Sequence, residues 1–188
     1  MAQTRITAGE LRGRQVLTPA GRELRPTTSL VRQALFNILG DSVPDAVFID
    51  LFAGTGSVGF EAISRGASRV VFVERDRAAV ELIRATARRL GCEQRCRIAA
   101  ADALTFLRRE ATVVESADIA YVDAPYRDDV IDDALRLCGE HPPALLVCEH
   151  HRARVLPESS GRLRRSREVG YGATRLSFFR REPMQAET

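Results

Sequence analysis

The chain of 188 residues contains no lysine; all 28 of its basic residues are arginine. Drift in genome composition produces such a bias without selection, so this absence says nothing about partners. No apolar run approaches the roughly 18 to 20 residues that a bilayer-spanning helix needs, and no membrane partner is expected. The stretch MAQTRITAGELRGR lacks the apolar centre of a signal peptide, so a cytoplasmic location is expected. Cysteine is scarce too: Cys92, Cys96, Cys138 and Cys148 are scattered along the chain. Only Cys92 and Cys96 are close, with no second pair nearby and no histidine at finger spacing. They read as buried or free thiols, and no metal site is expected. Repeats and low-complexity segments are also missing.

What is present suits one domain with a small extension, since 45% of the residues are hydrophobic, enough for a core. The net charge of +3 hides a segregation. Residues 1–40 hold six arginines against two acids, and residues 152–181 hold nine against two. The middle, 41–151, holds nineteen acids against thirteen arginines. Two basic flanks bracket an acidic centre. Arginine forks pair bidentately with phosphates and stack on bases, so the flanks suit nucleic acid.

From residue 47 onward, short apolar runs alternate with helical patterns. Strands are expected at 47–52, 70–74, 97–100, 119–122 and 145–148, and helices at 57–65, 76–90, 102–110 and 128–138. That alternation predicts a parallel sheet with helices on both faces. Residues 162–170 and 174–181 then read as two strands joined by a glycine-rich turn, an antiparallel ending. In the first 40 residues, Arg5-Ile6-Thr7 and Gln15-Val16-Leu17 flank turns at Gly9 and Gly13, which suits a β-hairpin. The stretch SLVRQALFNILG follows as a helix, with Thr27 or Thr28 as its cap and Gly40 as its stop. The expected plan is an RNA-engaging extension over 1–40, a catalytic domain over 41–182 and a flexible tail over 183–188.

Immediately after the first of these strands comes DLFAGTGSVGFEA. Gly54, Gly56 and Gly59 form G-x-G-x-x-G between strand and helix, a nucleotide-binding context that fits NAD, FAD and other adenosyl ligands. Asp50 helps to decide among them. It sits near the carboxyl end of the strand, where ligands bind in such sheets. There it would repel a pyrophosphate but suit a ligand carrying an ammonium and a sulfonium, which describes S-adenosylmethionine. Glu74, ending VVFVE, is placed to bridge ribose hydroxyls, and Asp102 to reach an adenine edge. The wider pattern resembles class I S-adenosylmethionine-dependent methyltransferases. The resemblance implies a Rossmann-like α/β fold, with a mostly parallel seven-stranded sheet whose last strand is antiparallel. It also implies Asp50, Phe52, Gly54, Gly56, Glu74 and Asp102 as cofactor-binding residues.

The fourth strand runs into IAYVDAPYRDD and is expected to reach the same edge. Asp123-Ala124-Pro125-Tyr126 resembles the (N/D)-P-P-(Y/F) motif of methyltransferases that act on exocyclic amino groups of bases. An aromatic amine is a poor nucleophile because its lone pair is delocalised into the ring. Hydrogen bonds from its N–H groups to the Asp123 carboxylate and the Ala124 carbonyl would aim that lone pair at the methyl group. Pro125 fixes φ at the corner, and Tyr126 offers a face on which an extruded base stacks. These four are the expected catalytic residues. Ala124 stands where a second proline is usual, which costs the loop one rigid ring and returns an N–H.

The N-terminal RITAGELRGRQVLTP and LRPTTSLVRQALFNIL closely resemble the start of the bacterial RsmD family, and the likeness runs from about Arg5 to Arg181. The family methylates N2 of one guanine in small-subunit (16S) ribosomal RNA. The resemblance implies assembled 30S subunits, rather than free RNA, as substrate. It also implies a short N-terminal extension that engages RNA. Arg12, Arg14, Arg25 and Arg32 are the expected phosphate contacts, and Arg162, Arg164, Arg165 and Arg167 a further basic cluster. A monomer is expected. Two rivals remain open. A DNA adenine-N6 methyltransferase shares the motifs but normally carries a target-recognition domain, so DNA is not the expected partner. A non-catalytic RNA-binding module would not need Asp123 and Tyr126.

Overall fold

Apolar β-branched runs fix the strands, and the turns between them fix the order. The structure, a computed structural model, describes residues 4–19, 29–124 and 129–183. The chain divides into two compact units, Met1–Ala103 and Leu104–Thr188.

The first unit holds helix α1 (Ser29–Leu39), strand β1 (Val47–Leu51), helix α2 (Ser57–Ser64), strand β2 (Arg69–Glu74), helix α3 (Arg77–Leu90) and strand β3 (Cys96–Ala100). Its strands run parallel in the order β3-β2-β1, with Ile49 opposite Val71 and Phe72 opposite Ile98. β1 and β2 are buried almost throughout, as parallel strands covered on both faces must be. The amphipathic pattern of α3 is realised: Ala79, Val80, Ile83, Ala87 and Leu90 are buried. Asp76 caps it, accepting from the Ala78 and Ala79 amides. Helix α1 stops at Leu39, before Gly40, as expected. Its expected caps, Thr27 and Thr28, lie outside the described residues.

The hairpin expected near the N-terminus is present, with Arg5 bridged antiparallel to Gln15. Ile6 and Val16 point inward and are buried. Gly9 turns the chain against the end of α2, and a Cβ there would lie 1.8 Å from the Ser64 carbonyl oxygen, so only glycine fits.

What pins the hairpin is Glu61, fully buried in α2. Its carboxylate accepts from the Thr7 amide at 2.8 Å, the Thr7 hydroxyl at 2.6 Å and the Ala8 amide at 3.1 Å. Arg65 donates to it at 3.0 Å and Arg32 at 3.3 Å. Arg32 is itself 2% exposed and also donates to the Arg5 carbonyl at 2.8 Å.

The second unit contains α4 (Ala103–Arg109, across the boundary), α5 (Ala111–Glu115), β4 (Ile119–Val122), α6 (Val130–Glu140), β5 (Leu145–His151), β6 (Ser159–Ser160), β7 (Leu163–Tyr171) and β8 (Thr174–Arg181). The order is β4-β5-β8-β7-β6. β4 and β5 run parallel, whereas β8 is antiparallel to both of its neighbours. The fold is thus mixed α/β with parallel strands first and an antiparallel ending. Among the described residues it has eight strands where seven were expected. The short strand β6 carries no apolar alternation that would announce it. β5 also runs three residues past Cys148. Glu149 and His150, past the expected end of the strand, are both buried. No helix among the described residues is long and apolar enough to cross a membrane.

Removing one partner from a buried ion pair strands the other charge. Glu61→Ala is therefore expected to cost about 3–5 kcal/mol in urea denaturation. A loss below about 1 kcal/mol, the range of surface pairs, would show that the hairpin is held by other contacts.

Candidate active site

The glycine loop leaves β1 at Leu51 and enters α2 at Ser57. The first amides of a helix lack intrahelical acceptors. Gly56, at the N-cap, has no side chain to supply one. Asp50 supplies it from the strand, because its carboxylate accepts from the Gly59 amide at 2.9 Å and is buried. The predicted cofactor acid therefore also ties strand to helix.

Gly59 lets α2 lie against β2: a Cβ there would stand 2.2 Å from the Phe72 ring. That is the role of the third glycine in such loops, close packing of helix on strand. Phe60 and Phe72 complete the contact, with ring centroids 4.9 Å apart. Phe52 takes φ +60°, a left-handed conformation that costs a residue with a Cβ about 1–3 kcal/mol. Strain of that kind gathers at sites where function requires it. A Cβ built on Gly54 would meet nothing within 4 Å, so the loop faces open space there.

Glu74 closes the loop from the next strand. One carboxylate oxygen accepts from the Gly54 amide and the other from the Asp76 amide, both at 2.8 Å. Each oxygen retains a lone pair, so the expected contact to hydroxyls is compatible with this clamp. Asp102 lies 3.8 Å from the Arg75 guanidinium. In this unit the structure therefore brings Asp50, Phe52, Gly54, Gly56 and Glu74 around one turn.

In the second unit, β4 delivers the half-buried Asp123 and the buried Ala124. Pro125 and Tyr126 lie outside the described residues. Beside Asp123 stands a group the sequence reading missed. Glu149 is buried, and its carboxylate accepts a hydrogen bond from the Tyr121 hydroxyl. Burial, reinforced by the charge of Asp123, pushes the Glu149 carboxyl up to about 8, against a smaller opposing effect of the Tyr121 bond. The available signal was an acid continuing an apolar strand, LLVCE.

The expected phosphate contacts separate. Arg12 is exposed. Arg14 is exposed and donates to the Arg89 carbonyl at the end of α3, at 3.0 Å. Arg25 lies outside the described residues. Arg32 corrects the sequence reading: buried against Glu61, it is not a surface charge, because its side chain follows the apolar face of α1. Of the C-terminal cluster, Arg162 pairs with Glu115 at 2.6 Å and Arg164 with Glu182 at 3.7 Å. Arg165 pairs with Glu168 at 3.3 Å. Arg167 is exposed.

Parallel strands alternating with helices, a glycine turn after β1, an acid ending β2 and an antiparallel β8 together define the class I methyltransferase fold. An RNA methyltransferase from Salinibacter ruber, solved with S-adenosyl-L-homocysteine, shares it at TM-score 0.63 and 19% identity, over 87% of this chain and 97% of that one. The yhhF protein of Escherichia coli superposes at TM-score 0.84 with 29% identity, over 96% of this chain and 99% of that one. The family described as Conserved hypothetical protein 95 matches residues 4–180. The "Ribosomal RNA small subunit methyltransferase D" of Escherichia coli (strain K12) is 32% identical over 184 residues, 96% of this chain and 91% of that protein. The chain belongs to this RsmD family.

Overpacking a tight contact typically costs about 1–3 kcal/mol. Gly59→Ala is expected to lose that much stability in urea denaturation while the m-value holds. Unchanged stability would mean that α2 does not rest on Phe72 as closely as described.

Proposed function

We propose that the protein transfers a methyl group from S-adenosylmethionine to N2 of a guanine in small-subunit ribosomal RNA. The observation that carries this reading is the pairing of a buried Asp50 and a glycine turn with an Asp-Ala-Pro-Tyr segment, in a chain of this family.

The residues present fit the donor. Gly54 leaves open space where a Cβ would stand, and Asp50 and Glu74 offer carboxylates toward an ammonium and ribose hydroxyls. Phe52 and Gly56 shape the same turn, and Asp102 recognises the adenine. The bound donor supplies an electrophilic methyl on a sulfonium, whose C–S bond breaks as the C–N bond forms. Asp123 accepts from the guanine amino group, and the Ala124 carbonyl accepts from its second N–H. Both aim the nitrogen lone pair while Tyr126 stacks on the base and Pro125 holds the corner. The methylated nitrogen then sheds its proton to water, so Asp123 acts through placement and oriented charge rather than as a strong base. The first forty residues engage the RNA, with Arg12 and Arg14 on its phosphates. The assembled small subunit is the substrate and the protein acts as a monomer.

Incubation with tritiated S-adenosylmethionine and small subunits, total RNA or duplex DNA tests this reading. Label on small-subunit RNA, located at guanine N2 by mass spectrometry, is expected; label on DNA alone overturns it. Asp123→Ala is expected to abolish transfer while donor affinity stays within about threefold, less than 1 kcal/mol. Near-normal turnover would remove Asp123 from catalysis. Replacing both Arg12 and Arg14 with alanine is expected to weaken RNA binding and flatten its salt dependence, by about one unit of log–log slope for each phosphate no longer neutralised. An unchanged slope would assign both charges to bare surface.

A further inference from the structure

We propose that one face of the β7–β8 hairpin, through Arg167 and Arg180 with Arg164 beside them, is a second phosphate-binding surface for the small-subunit RNA. The inference rests on the RNA methyl-transfer reading above and deepens it, by naming where the second unit grips the substrate.

Residues paired across an antiparallel ladder share a face, and successive residues of a strand alternate between faces. On β8, Arg175, Ser177 and Phe179 therefore point one way, and Leu176, Phe178 and Arg180 the other. β7 follows the same rule with one interruption. Arg164 lies opposite Arg180 and Arg165 opposite Phe179, but it is Arg167, not Ser166, that lies opposite Phe178. This shift of register takes in one extra residue, as a β-bulge does, and bulges re-aim the side chains that follow them. Without it, Arg167 would stand opposite Ser177. With it, Arg167 joins Arg164 and Arg180, and Glu168 takes the place opposite Ser177.

The bulge thereby sorts the charges of the hairpin. On the Ser177 face, Glu168 accepts from the Ser177 hydroxyl at 2.9 Å and from Arg175 at 2.8 Å, and it pairs with Arg165 at 3.3 Å. On the Arg180 face a single acid, Glu182, stands 3.7 Å from Arg164. Arg167 and Arg180 are exposed and meet no acid among the described residues. Arg164 and Arg180 are also direct cross-strand neighbours. Like charges placed opposite one another destabilise a ladder. The fold gains nothing from this pair, whereas a ligand carrying negative charge does.

The chemistry of the face selects that ligand. Guanidinium forks match phosphate oxygens bidentately. The sheet sets Arg167 about 6.8 Å along the hairpin from the Arg164–Arg180 pair, twice the rise per residue of a strand. A protein partner would call for apolar or aromatic anchors at the centre of its contact. The exposed large apolar side chain described in this unit is Val155. It belongs to the loop whose Leu156 carbonyl accepts from Arg165, on the Ser177 face. RNA is the partner that the Arg180 face fits, and it is the polyanion that the proposed reaction already requires.

Binding of the full chain to protein-free small-subunit RNA and to assembled small subunits, followed against salt, tests the proposal. Arg167→Thr and Arg180→Thr, which keep strand propensity, are each expected to reduce the log–log slope by about one unit on both substrates. The double variant is expected to lose about two. Arg136→Ala removes an exposed charge on α6 that Asp133 and Glu140 already match, and its slope is expected to equal the wild-type one. Glu182→Gln is expected to bind RNA more tightly, because it unmasks Arg164. In thermal melts Arg180→Thr is expected to unfold no lower than wild type, since it relieves the repulsion from Arg164. Unchanged slopes in a folded double variant would overturn the proposal. So would a loss confined to assembled subunits, which would assign the face to an acidic segment of a ribosomal protein. A wild type that binds the RNA yet transfers no methyl to it overturns the function above, whereas the slopes still decide the role of this face.

Discussion

A buried carboxylate with five donors holds the first unit together. Glu61 sits in α2, the helix launched by the glycine loop, and collects two amides, a hydroxyl and two guanidinium groups. An acid at zero exposure is tolerable only with such satisfaction, because an isolated charge in the interior costs far more than folding can supply. The arrangement makes several elements interdependent. The hairpin cannot leave without exposing Glu61, and α1 cannot shift without stranding Arg32. The helix that presents the loop is thus fixed from its far side by the N-terminal residues, and from its near side by Asp50.

That interaction explains where sequence reasoning succeeded and where it failed. Strands β1 to β5 were legible because buried parallel strands are short and apolar, and α3 because its stripe is regular. The glycine loop was legible because its glycines answer local demands, such as the close approach of Phe72 to Gly59. Arg32 was misread because a charge at one position carries no information about its partner twenty-nine residues away. In retrospect it follows Val31 and precedes Leu35 on the apolar side of α1, which requires a counter-charge. Glu61, an acid within the wholly buried SVGFEAIS, supplies it. Glu149 and His150 hid for a related reason. A polar residue that ends a pattern and one that continues the strand toward buried partners look alike in one dimension.

The acids of the two units receive different tasks from their surroundings. Asp50 and Glu74 each accept from backbone amides. Glu149 accepts from a phenol instead, and burial first, with the charge of Asp123 second, favours its protonated form.

The arginines of the two basic flanks differ in how their charges are met. Over 152–181, Arg154, Arg162, Arg164, Arg165 and Arg175 each meet an acid within 4.0 Å. Surface pairs of this kind contribute little stability, on the order of 0–1 kcal/mol each. Their electrostatic effect is larger than their energetic one: a guanidinium matched by a carboxylate projects little net field beyond a Debye length of about 8–10 Å. In the hairpin, Arg12 is exposed, and Arg14 spends its hydrogen bond on a neutral carbonyl that leaves its charge uncompensated. Attraction for phosphate scales with uncompensated charge rather than with arginine count, so in each flank exposed arginines that no ion pair matches among the described residues, Arg12 and Arg14 in one and Arg152, Arg167 and Arg180 in the other, are the charges that a polyanion would meet.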